Sequence, residues 1–416
     1  MGSSRLSGFH NLSREARLAA IAKAAGLSPD AVERFAAASS AEGDLADHLS
    51  ENVIGTLSVP IGVATNLTVD GEDALVPMAT EESSVIAAVC NGAKACRDAG
   101  GVTTSADAPC MIAQVQIKGL SNPAAARAAL YERVEDIRTL CDACDPVLVS
   151  LGGGFRAIEV RLAGPFVVLH LIVDVRDAMG ANAVNTMAET IAPHVEQWTG
   201  GAVGLQILSN LADRRLVRAR AIWPAAVIGA DVVAGMLDAY QFAHHDPYRA
   251  ATHNKGIMNG ISAVALATGN DTRAVEAGAH TFAATRSAAG GYGPLTTWEA
   301  TAAGDLSGTI EVPMPVGIVG GATKAHPTAR LCLEIMGATG ADRLARVMTA
   351  VGLVQNFSAM RALATEGIQR GHMSLHARNV AIAAGAEGAE IDRVAAEMVS
   401  RKTVREDVAA AILNEE

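Results

Sequence analysis

Residues 155–175 read FRAIEVRLAGPFVVLHLIVDV, two strand-like runs joined at Ala163-Gly164-Pro165. Aliphatic and β-branched residues on both sides of a glycine-proline turn predict a β-hairpin. The segment before it, NPAAARAALYERVEDIRTLC at 122–141, has a helical pattern and follows the alternating strand AQVQIKGL at 113–120. The hairpin is therefore expected to be the centre of a larger α/β unit.

Downstream of the hairpin, a long helix through Met179, Met187 and Ile191 precedes the strand VGLQILS at 203–209. The whole order, β-α-β-β-α-β, is the ferredoxin-like arrangement, which forms a compact domain of roughly a hundred residues. Residues 110–212 are thus predicted to be a small domain of their own.

The sequence on either side of this segment has a different character. Residues 213–366 contain long Ala-rich and Gly-rich helices and a predicted strand pair around SGTIEVPMPVGIVGG at 307–321, and the last fifty residues read as helices without strands. We therefore predict an α+β protein in which the small domain is inserted into a large helix-rich α/β domain. The predicted boundaries are 1–109 and 213–366 for the large domain, 110–212 for the small domain, and 367–416 for a C-terminal helical element.

Two helix starts stand out before the small domain. Near Ser13, and at Ser28-Pro29-Asp30 where proline suits a first helical turn, short packing helices are expected. A longer helix opens near residue 84, after Glu81-Glu82, and ends before Gly100-Gly101.

Composition excludes several classes of function. The chain has 416 residues, 33 Lys+Arg against 44 Asp+Glu, and a formal net charge of -11, which argues against nucleic acid as a partner. No apolar run is long enough for a membrane span. Six cysteines without a disulfide-framework spacing, and no export signal at the start of the sequence, predict a cytoplasmic protein.

Several motifs have ordinary structural explanations. Cys141 and Cys144 have CxxC spacing, but no second CxxC exists and a pair of helix-surface cysteines is the preferred interpretation. The histidines of His244-His245-Asp246 point to different sides of a helix, and no HExxH accompanies them, so we predict no metal site. PVGIVGGATK at 315–324 fails the P-loop spacing, because Lys324 follows Thr323 rather than glycine.

The segment VDVRDAMGANAVNTMAE at 173–189 joins a buried strand to a helix through a glycine-containing turn. Backbone N–H groups at such a helix start can hold a pyrophosphate. On the residues alone, an ordinary strand-turn-helix connection is the preferred interpretation.

Lys255 lies among small and apolar residues in THNKGIMNGISAVALATGND at 252–271. Burying a lysine is costly unless a carboxylate pairs with it, and Glu82 and Asp271 are the candidate partners. Lys255 is therefore either an ion-paired core residue or an electrophile for an oxyanion. His372 and His376 are four residues apart, which is one helical turn. Either they lie on a solvated helix face, or one of them acts as a general acid.

Six ordered segments together carry a resemblance to a known family. They are ENVIGTLSVPIGVATN at 51–66, VPMATEESSVIAA at 76–88, DVRDAMGANAVNTMAE at 174–189, DPYRAATHNKGIMNG at 246–260, ATGNDTRAVEAGAH at 267–280, and RGHMSLHARN at 370–379. The chain closely resembles class II, soluble bacterial 3-hydroxy-3-methylglutaryl-coenzyme A (HMG-CoA) reductase over almost its whole length.

The resemblance implies an architecture and a reaction. It implies a large domain for the acyl-CoA, an inserted ferredoxin-like domain for NAD(H), and a C-terminal flap. The implied reaction interconverts HMG-CoA with mevalonate and CoA by two hydride transfers. The resemblance also implies a homodimer or trimer of dimers with the site at a subunit interface, and no metal.

Residue roles follow by motif match. Glu82 resembles the family's catalytic glutamate, Lys255 its lysine and Asp271 the acid that orients that lysine. His372 resembles the histidine that protonates the departing CoA thiolate, and His376 is the less favoured assignment.

The remaining matches concern ligands. The resemblance assigns the acyl group to Ser84, Arg249, Asn259 and Asn210. It assigns the dinucleotide to Asp145, Asp177, Met179, Gly180, Ala181 and Asn182. A carboxylate at Asp145 would accept bonds from the ribose hydroxyls and repel a 2′-phosphate, which predicts a preference for NADH.

Two alternatives stay open. One is a catalytically silent CoA-binding homologue. The other is an acyl-CoA reductase with Cys90 as nucleophile, although Cys90 lies mid-helix among apolar residues, where a thiolate is disfavoured.

Overall fold

The computed structural model describes residues 6, 8–38, 43–286, 290–365 and 377–415. It contains two compact units, Met1–Ile61 with Ala79–Glu81, and Gly62–Met78 with Glu82–Glu416. Helices and two β-sheets make up the described residues, and the predicted α+β class is thereby confirmed. The four domain boundaries drawn from the sequence stay predictions.

The first unit consists of short helices, as expected. Its helices are Arg14–Ala25, Pro29–Ala38 and Gly43–Leu49, with a 3-10 turn at Phe9–Asn11. Both predicted starts are confirmed, because the hydroxyl of Ser13 accepts from the backbone N–H of Ala16 at 3.3 Å and Pro29 opens the second helix. Arg17 joins this unit internally, donating to Asp47 at 2.7 Å and to the carbonyl of Val53 at 3.2 Å.

The described residues form ten strands, which are numbered in chain order. They are β1 (Ile61–Val69), β2 (Glu72–Ala79), β3 (Val102–Ala106), β4 (Cys110–Lys118), β5 (Gly154–Ala163), β6 (Phe166–Asp174), β7 (Ala202–Ser209), β8 (Leu216–Trp223), β9 (Thr296–Ala300) and β10 (Leu306–Pro313). The larger sheet has the order β2-β1-β3-β8-β10-β9, and the smaller sheet has the order β5-β6-β4-β7. In the larger sheet β1 runs parallel to β3, whereas β3 with β8, β8 with β10, and β10 with β9 are antiparallel.

The predicted strand pair at 307–321 is wrong in its second half. β10 ends at Pro313, and its neighbours are β8 and β9 rather than the residues that follow it. Pro313 and Pro315 have no backbone N–H to donate to a ladder, which stops the strand where the apolar run continues. Residues 314–320 instead form a connection, with a single isolated bridge from Val319 to Ala178.

The smaller sheet has the element order predicted for 110–212. β5 and β6 form the hairpin across Gly164, β4 pairs with β6 in the register Val115↔Leu169, and β4 pairs on its other side with β7. The same stretch of the chain also forms four helices, Pro123–Glu132, Val134–Cys144, Pro146–Ser150 and Ala181–Thr199. Alternate residues of β6, Leu169 and Leu171 among them, are fully buried with Met187 and Ile191 of the last of these helices.

Three helices of the larger core position the site described below. We call them the entry helix (Val85–Arg97), the lysine helix (Pro247–Ala267) and the central helix (Ala341–Ala364). The entry helix begins where the sequence predicted. The central helix packs closely against both others, since a Cβ on Gly92 would lie 2.4 Å from the carbonyl oxygen of Val354 and one on Gly352 would lie 2.7 Å from Ile261.

The other helices of the second unit are Ala225–Ile228, Ala230–His245, Thr272–Thr285, Gly321–Ala325, Pro327–Met336, Glu390–Ser400 and Glu406–Leu413. Residues 377–383 are also helical. The described part of the C-terminal segment therefore contains helices and no strand, as predicted.

None of the helices formed by the described residues is long and apolar enough to cross a membrane. Those residues also contain no cluster of three His, Cys, Asp or Glu side chains suited to a metal ion. The interpretation of Cys141 and Cys144 as surface cysteines needs correction, because Cys141 is fully buried and burial raises the pKa of its thiol to about 12. The helical pattern at 122–141 shows which residues share a helix face with Cys141. It does not show which of those faces packs against the sheet.

Candidate active site

A cavity of about 650 Å³ lies among the entry, lysine and central helices. Five predicted site residues line it: Glu82, Ser84, Arg249, Lys255 and Asn259. Because they come from two segments more than 160 residues apart, the fold brings together side chains whose proximity the motifs alone only implied. The central helix supplies the opposite wall with Gln355, Asn356 and Arg361.

The centre of the cavity is an ion pair between Lys255 and Glu82. The lysine Nζ lies 2.8 Å from the glutamate Oε2. The side chains are 60% and 40% exposed, so Lys255 is not the buried lysine that its neighbours suggested. Of its two candidate partners, Glu82 is the one that holds it. Both groups are open to a ligand, and such an exposed pair adds little to stability.

Ser84 occupies a strained position at the start of the entry helix. Its φ of 76° is left-handed, which is uncommon for a residue other than glycine. The hydroxyl is buried and has no hydrogen-bond partner among the described residues. Strain and an unsatisfied polar group together are typical of a binding site.

One face of the lysine helix presents polar side chains to the cavity. Arg249, Thr252, Lys255 and Asn259 are spaced by three or four residues, which places them on one side of a helix. Arg249 has no hydrogen bond or ion pair among the described residues, and burial lowers the pKa of its guanidinium. With Arg361, the described lining has three cations against the carboxylate of Glu82, which favours an anionic ligand.

Asp271 lies apart from this pair. Its carboxylate caps helix Thr272–Thr285, accepting from the N–H groups of Arg273 at 2.9 Å and Ala274 at 3.2 Å, and it pairs with the Arg273 guanidinium at 3.0 Å. Burial would raise the pKa of Asp271, but the bonds from Arg273 and Ala274 outweigh it and lower that pKa. Among the described residues it makes no bond to Lys255, so its role in orienting the lysine stays a prediction.

One further predicted residue that the structure describes is not brought into the cavity, and two others lie outside the described part of the chain. Asn210 is exposed just after β7 and is not part of the described lining. His372 and His376 lie outside the described residues. The choice between these two histidines therefore stays a prediction.

Sequence reasoning missed His253, Gln355 and Asn356, which line the same cavity and are at most 5% exposed. His253 is two residues from Lys255, and Gln355-Asn356 interrupts the apolar run AVGLVQNF at 350–357. A polar pair inside an apolar helix was the available signal, because such residues are rarely buried without a partner or a function.

The predicted dinucleotide residues lie between β6 and helix Ala181–Thr199. Gly180 precedes that helix with a φ of 102°, and a Cβ there would lie 2.6 Å from Val175, so only glycine fits. No side chain in the described part of the chain caps this 19-residue helix, so its first N–H groups are open to a phosphate. Met179 and Ala181 are partly buried beside this turn, and Asn182 is exposed.

Asp177 has a bracing contact in the same turn. Its Oδ1 accepts from the backbone N–H of Ala341, the first residue of the central helix, at 2.7 Å, and its carbonyl accepts from Ile318 at 2.9 Å. Arg215, 3% exposed, donates to the carbonyls of Ala178 and Val316. The turn is thus tied to the residues after β10, and the carboxylate of Asp177 is already engaged.

Asp145 begins helix Pro146–Ser150, with its Oδ1 accepting from the N–H of Leu148 at 2.9 Å. It is only partly buried, so its second oxygen has room for a ligand.

Cys90, the alternative nucleophile, is not among the described residues that line the cavity, and its sulfur accepts from the N–H of Thr65 at 3.2 Å. The geometry thus gives no support to a cysteine mechanism.

Comparison with known proteins agrees with this arrangement. Residues 13–377 match the sequence model of the hydroxymethylglutaryl-coenzyme A reductase family. The chain is 54% identical to 3-hydroxy-3-methylglutaryl-coenzyme A reductase of Archaeoglobus fulgidus, over 99% of this chain and 94% of that protein. It is 35% identical to the probable enzyme of Borreliella burgdorferi, over 82% and 79%.

Solved structures agree as well. The reductase of Streptococcus pneumoniae matches with a TM-score of 0.76 and 37% identity, over 98% of this chain and 99% of that one. A class II structure from the same organism, bound to NADPH in open conformations, also has a TM-score of 0.76, over 97% and 99%. By sequence and by structure, the chain belongs to the hydroxymethylglutaryl-coenzyme A reductase family.

Proposed function

We propose that this protein is an HMG-CoA reductase that interconverts HMG-CoA with mevalonate and CoA. The observation that carries the proposal is the ion pair of Lys255 and Glu82, at 2.8 Å, in a cationic cavity with Ser84, Arg249 and Asn259. A thioester carbonyl between these groups would find a cation for its oxygen and a carboxyl group for proton transfer. Reduction consumes two hydrides and two protons and releases the CoA thiol.

Lys255 stabilises the charge on the carbonyl oxygen as hydride arrives at its carbon, first in the thioester and then in the aldehyde. Glu82, as the carboxylic acid, gives a proton to that oxygen during reduction and takes it back as the carboxylate in the reverse reaction. Arg249, whose guanidinium lacks a described partner, holds the terminal carboxylate of the acyl group in a two-pronged contact. Ser84 adds a donor, and Asn259 completes the polar wall.

His372 is proposed to protonate the CoA thiolate as the hemithioacetal collapses. A thiolate that stayed ionised would attack the aldehyde again, so this proton drives release. His372→Gln should therefore slow reduction of HMG-CoA about 100-fold or more while sparing reduction of free mevaldehyde, which releases no thiol. The same result with His376→Gln instead would transfer the role to His376.

For the cofactor we propose NAD(H). When bound, the nicotinamide supplies the hydride in both reductions. The uncapped start of helix Ala181–Thr199 after Gly180 suits the pyrophosphate, and Met179, Ala181 and Asn182 flank it. Asp177 contributes chiefly by fixing this turn through its bond to Ala341.

Asp145 supports a preference for NADH, because its carboxylate would repel a 2′-phosphate. Comparison of kcat/KM for NADH and NADPH measures the preference. Asp145→Asn keeps an oxygen that can accept from the N–H of Leu148 and removes the negative charge. It should therefore reduce the difference in kcat/KM between NADH and NADPH. Faster turnover of the natural protein with NADPH would refute the preference, as would a difference that Asp145→Asn leaves unchanged.

The test of the whole proposal is a spectrophotometric assay of HMG-CoA with NADH, and of mevalonate, CoA and NAD in reverse. Lys255→Met should reduce turnover about 100-fold or more, because an uncharged side chain cannot stabilise the oxyanion. Lys94→Met, which removes an exposed lysine from the entry helix, is the matched control and should be neutral.

Two outcomes would contradict the proposal. A folded protein that binds CoA but changes NADH in neither direction would be a silent homologue. Turnover that survives in Lys255→Met would remove the lysine from the mechanism.

Assembly as a homodimer or trimer of dimers is expected from the family, and analytical ultracentrifugation measures it directly.

A further inference from the structure

His253 is a buried polar residue of the cavity that the proposed mechanism does not use. Its side chain is 1% exposed and contributes to the lining beside Lys255 and Arg249. Burial, aided by the charge of Arg249, lowers the pKa of the imidazole to about 3. At neutral pH the ring therefore has a single proton, and one nitrogen is an acceptor.

The surrounding hydrogen bonds decide which nitrogen that is. Trp298 Nε1 donates to both Thr296 Oγ1, at 3.1 Å, and Asn356 Oδ1, at 2.9 Å. The amide of Asn356 is oriented by this bond and by donation from its Nδ2 to the carbonyl of His253. Since Asn356 Oδ1 has no proton, the hydroxyl of Thr296 donates to it at 3.0 Å.

The hydroxyl of Thr296 has then used its only proton. With the threonine proton assigned to Asn356 Oδ1, His253 Nε2, 2.6 Å from the same oxygen, is the donor in that contact. The single ring proton is on Nε2, and Nδ1 presents a lone pair. Nδ1 is buried and has no hydrogen-bond partner among the described residues. An acceptor left unpaired in this way is costly unless a ligand satisfies it.

The acyl group of HMG-CoA has only one hydrogen-bond donor. Its thioester carbonyl and its carboxylate accept, whereas the hydroxyl on carbon 3 donates. We propose that His253 Nδ1 accepts a hydrogen bond from the 3-hydroxyl and so makes the site specific for a 3-hydroxyacyl group. This inference rests on the proposed function, and it assigns the position of the hydroxyl that both reductions leave untouched.

Arg249 is the charged neighbour of His253 in the cavity lining. It lies one turn before His253 on the lysine helix, and it is the charge close enough to influence that ring. Its guanidinium has no hydrogen bond or ion pair among the described residues, and burial lowers its pKa. With the guanidinium on the carboxylate of carbon 5, the hydroxyl two carbons away would lie toward His253, one helical turn further along the lysine helix. One helical turn thus serves both groups of the acyl chain.

Gln355 is the competing acceptor, because its Oε1 is also buried without a partner among the described residues. An amide can rotate by half a turn and present its NH₂ instead, so Gln355 suits a donor or an acceptor. The Thr296 contact gives His253 no such freedom. The hydroxyl is therefore assigned to the group that can only accept.

The test compares binding of HMG-CoA and 3-methylglutaryl-CoA, which lacks the hydroxyl, by calorimetry without cofactor. The natural protein should bind HMG-CoA about tenfold more tightly, the effect of one buried hydrogen bond. His253→Gln keeps a donor for Thr296 but has no atom at the position of Nδ1. It should lose affinity for HMG-CoA about tenfold, keep its affinity for the deoxy ester, and so abolish the difference.

His253→Asn is the matched variant, because its Oδ1 keeps an acceptor near the position of Nδ1 while the Thr296 contact is lost. It should retain the discrimination, and it decides the question if His253→Gln does not fold. Equal loss for both esters in His253→Gln would reveal a structural role only. Discrimination that persists in His253→Gln would assign the hydroxyl to Gln355 and overturn the proposal. If the natural protein binds neither ester, the proposed function itself fails.

Discussion

At the scale of a single residue, His253 makes stability depend on pH. In the unfolded chain its imidazole takes up a proton near pH 6.5, whereas burial lowers the folded pKa to about 3. Between these values the unfolded state binds one more proton, so the free energy of unfolding decreases as the pH falls below 6.5. The loss is about 1.4 kcal/mol per pH unit at most.

Urea unfolding of the natural protein and of His253→Gln, at about pH 7 and about pH 5.5, measures this effect. The natural protein should lose more stability than the variant on acidification, because glutamine does not titrate. Parallel losses in the two proteins would mean that other groups account for the pH dependence and that His253 is less isolated than its 1% exposure indicates.

The sequence predicted those residues of the cavity that belong to recognisable motifs and missed several that do not. Glu82, Lys255 and Arg249 belong to motifs long enough to be recognised, and the cavity brings them together. The bonds that fix the tautomer of His253 join the lysine helix to β9 and β9 to the central helix, and no local pattern encodes them. The residues around Lys255 left open whether it is an ion-paired core residue or an electrophile, because helix periodicity cannot show where a cavity opens.

At the scale of secondary structure, the contact between the entry and central helices depends on Gly92. A Cβ at this position would lie 2.4 Å from the carbonyl oxygen of Val354 and 2.8 Å from the hydroxyl of Ser358. The carbonyl of Gly92 also accepts from Trp223 Nε1 at 3.0 Å. Gly92→Ala should destabilise the protein by about 1–3 kcal/mol, because the helices must separate to admit a methyl group. Thermal or urea unfolding measures this change.

Gly256→Ala, on the lysine helix, is the control for helix propensity. Its Cβ would meet only Ala359, at an ordinary 3.8 Å, so the substitution should leave stability unchanged or raise it by up to about 1 kcal/mol. If Gly92→Ala matched this result, the close approach of the two helices would not be a source of stability.

Prediction of elements succeeded where the sequence has a clear local pattern, and it missed several strands of the larger sheet. The hairpin of β5 and β6 and the helix starts at Ser13 and Pro29 were read from local patterns. β1 and β2 were missed, although Asp70-Gly71 joins them in a turn with φ values of 55° and 83°. The pairing of β3 with β8 joins residues more than 110 positions apart, and a single sequence contains no register for it.

At the scale of the whole molecule, the turn predicted to hold the cofactor is braced by residues that follow the larger sheet. Gly317 lies against it, since a Cβ would be 2.5 Å from the N of Met179 and 2.9 Å from the carbonyl carbon of Ala178. Asp177 receives the first N–H of the central helix, and Arg215 bonds to both segments. The order of strands and helices in the sequence predicted the small sheet. It could not predict these hydrogen bonds, because they join segments far apart in the chain.

We expect Gly317→Ala to weaken binding of the nicotinamide cofactor without a comparable effect on HMG-CoA. The added methyl group displaces the backbone of residues 177–179, and an anion site made of backbone N–H groups depends on their position. Arg249, Lys255 and Ser84 lie on other elements and should keep their geometry. The dissociation constant for NADH should rise about tenfold, while that for HMG-CoA changes by less than about twofold.

Val319→Ala is the control, because it shortens an exposed side chain of the same connection and leaves its backbone unchanged. It should bind both ligands as the natural protein does. Fluorescence titration of each ligand separately distinguishes a local effect on the turn from general loss of structure, which would weaken both. If Gly317→Ala bound NADH normally, the residues after β10 would not support the cofactor turn. The fixed position of that turn would then have to come from the bond of Asp177 to the central helix and from the bond of Arg215 to the carbonyl of Ala178.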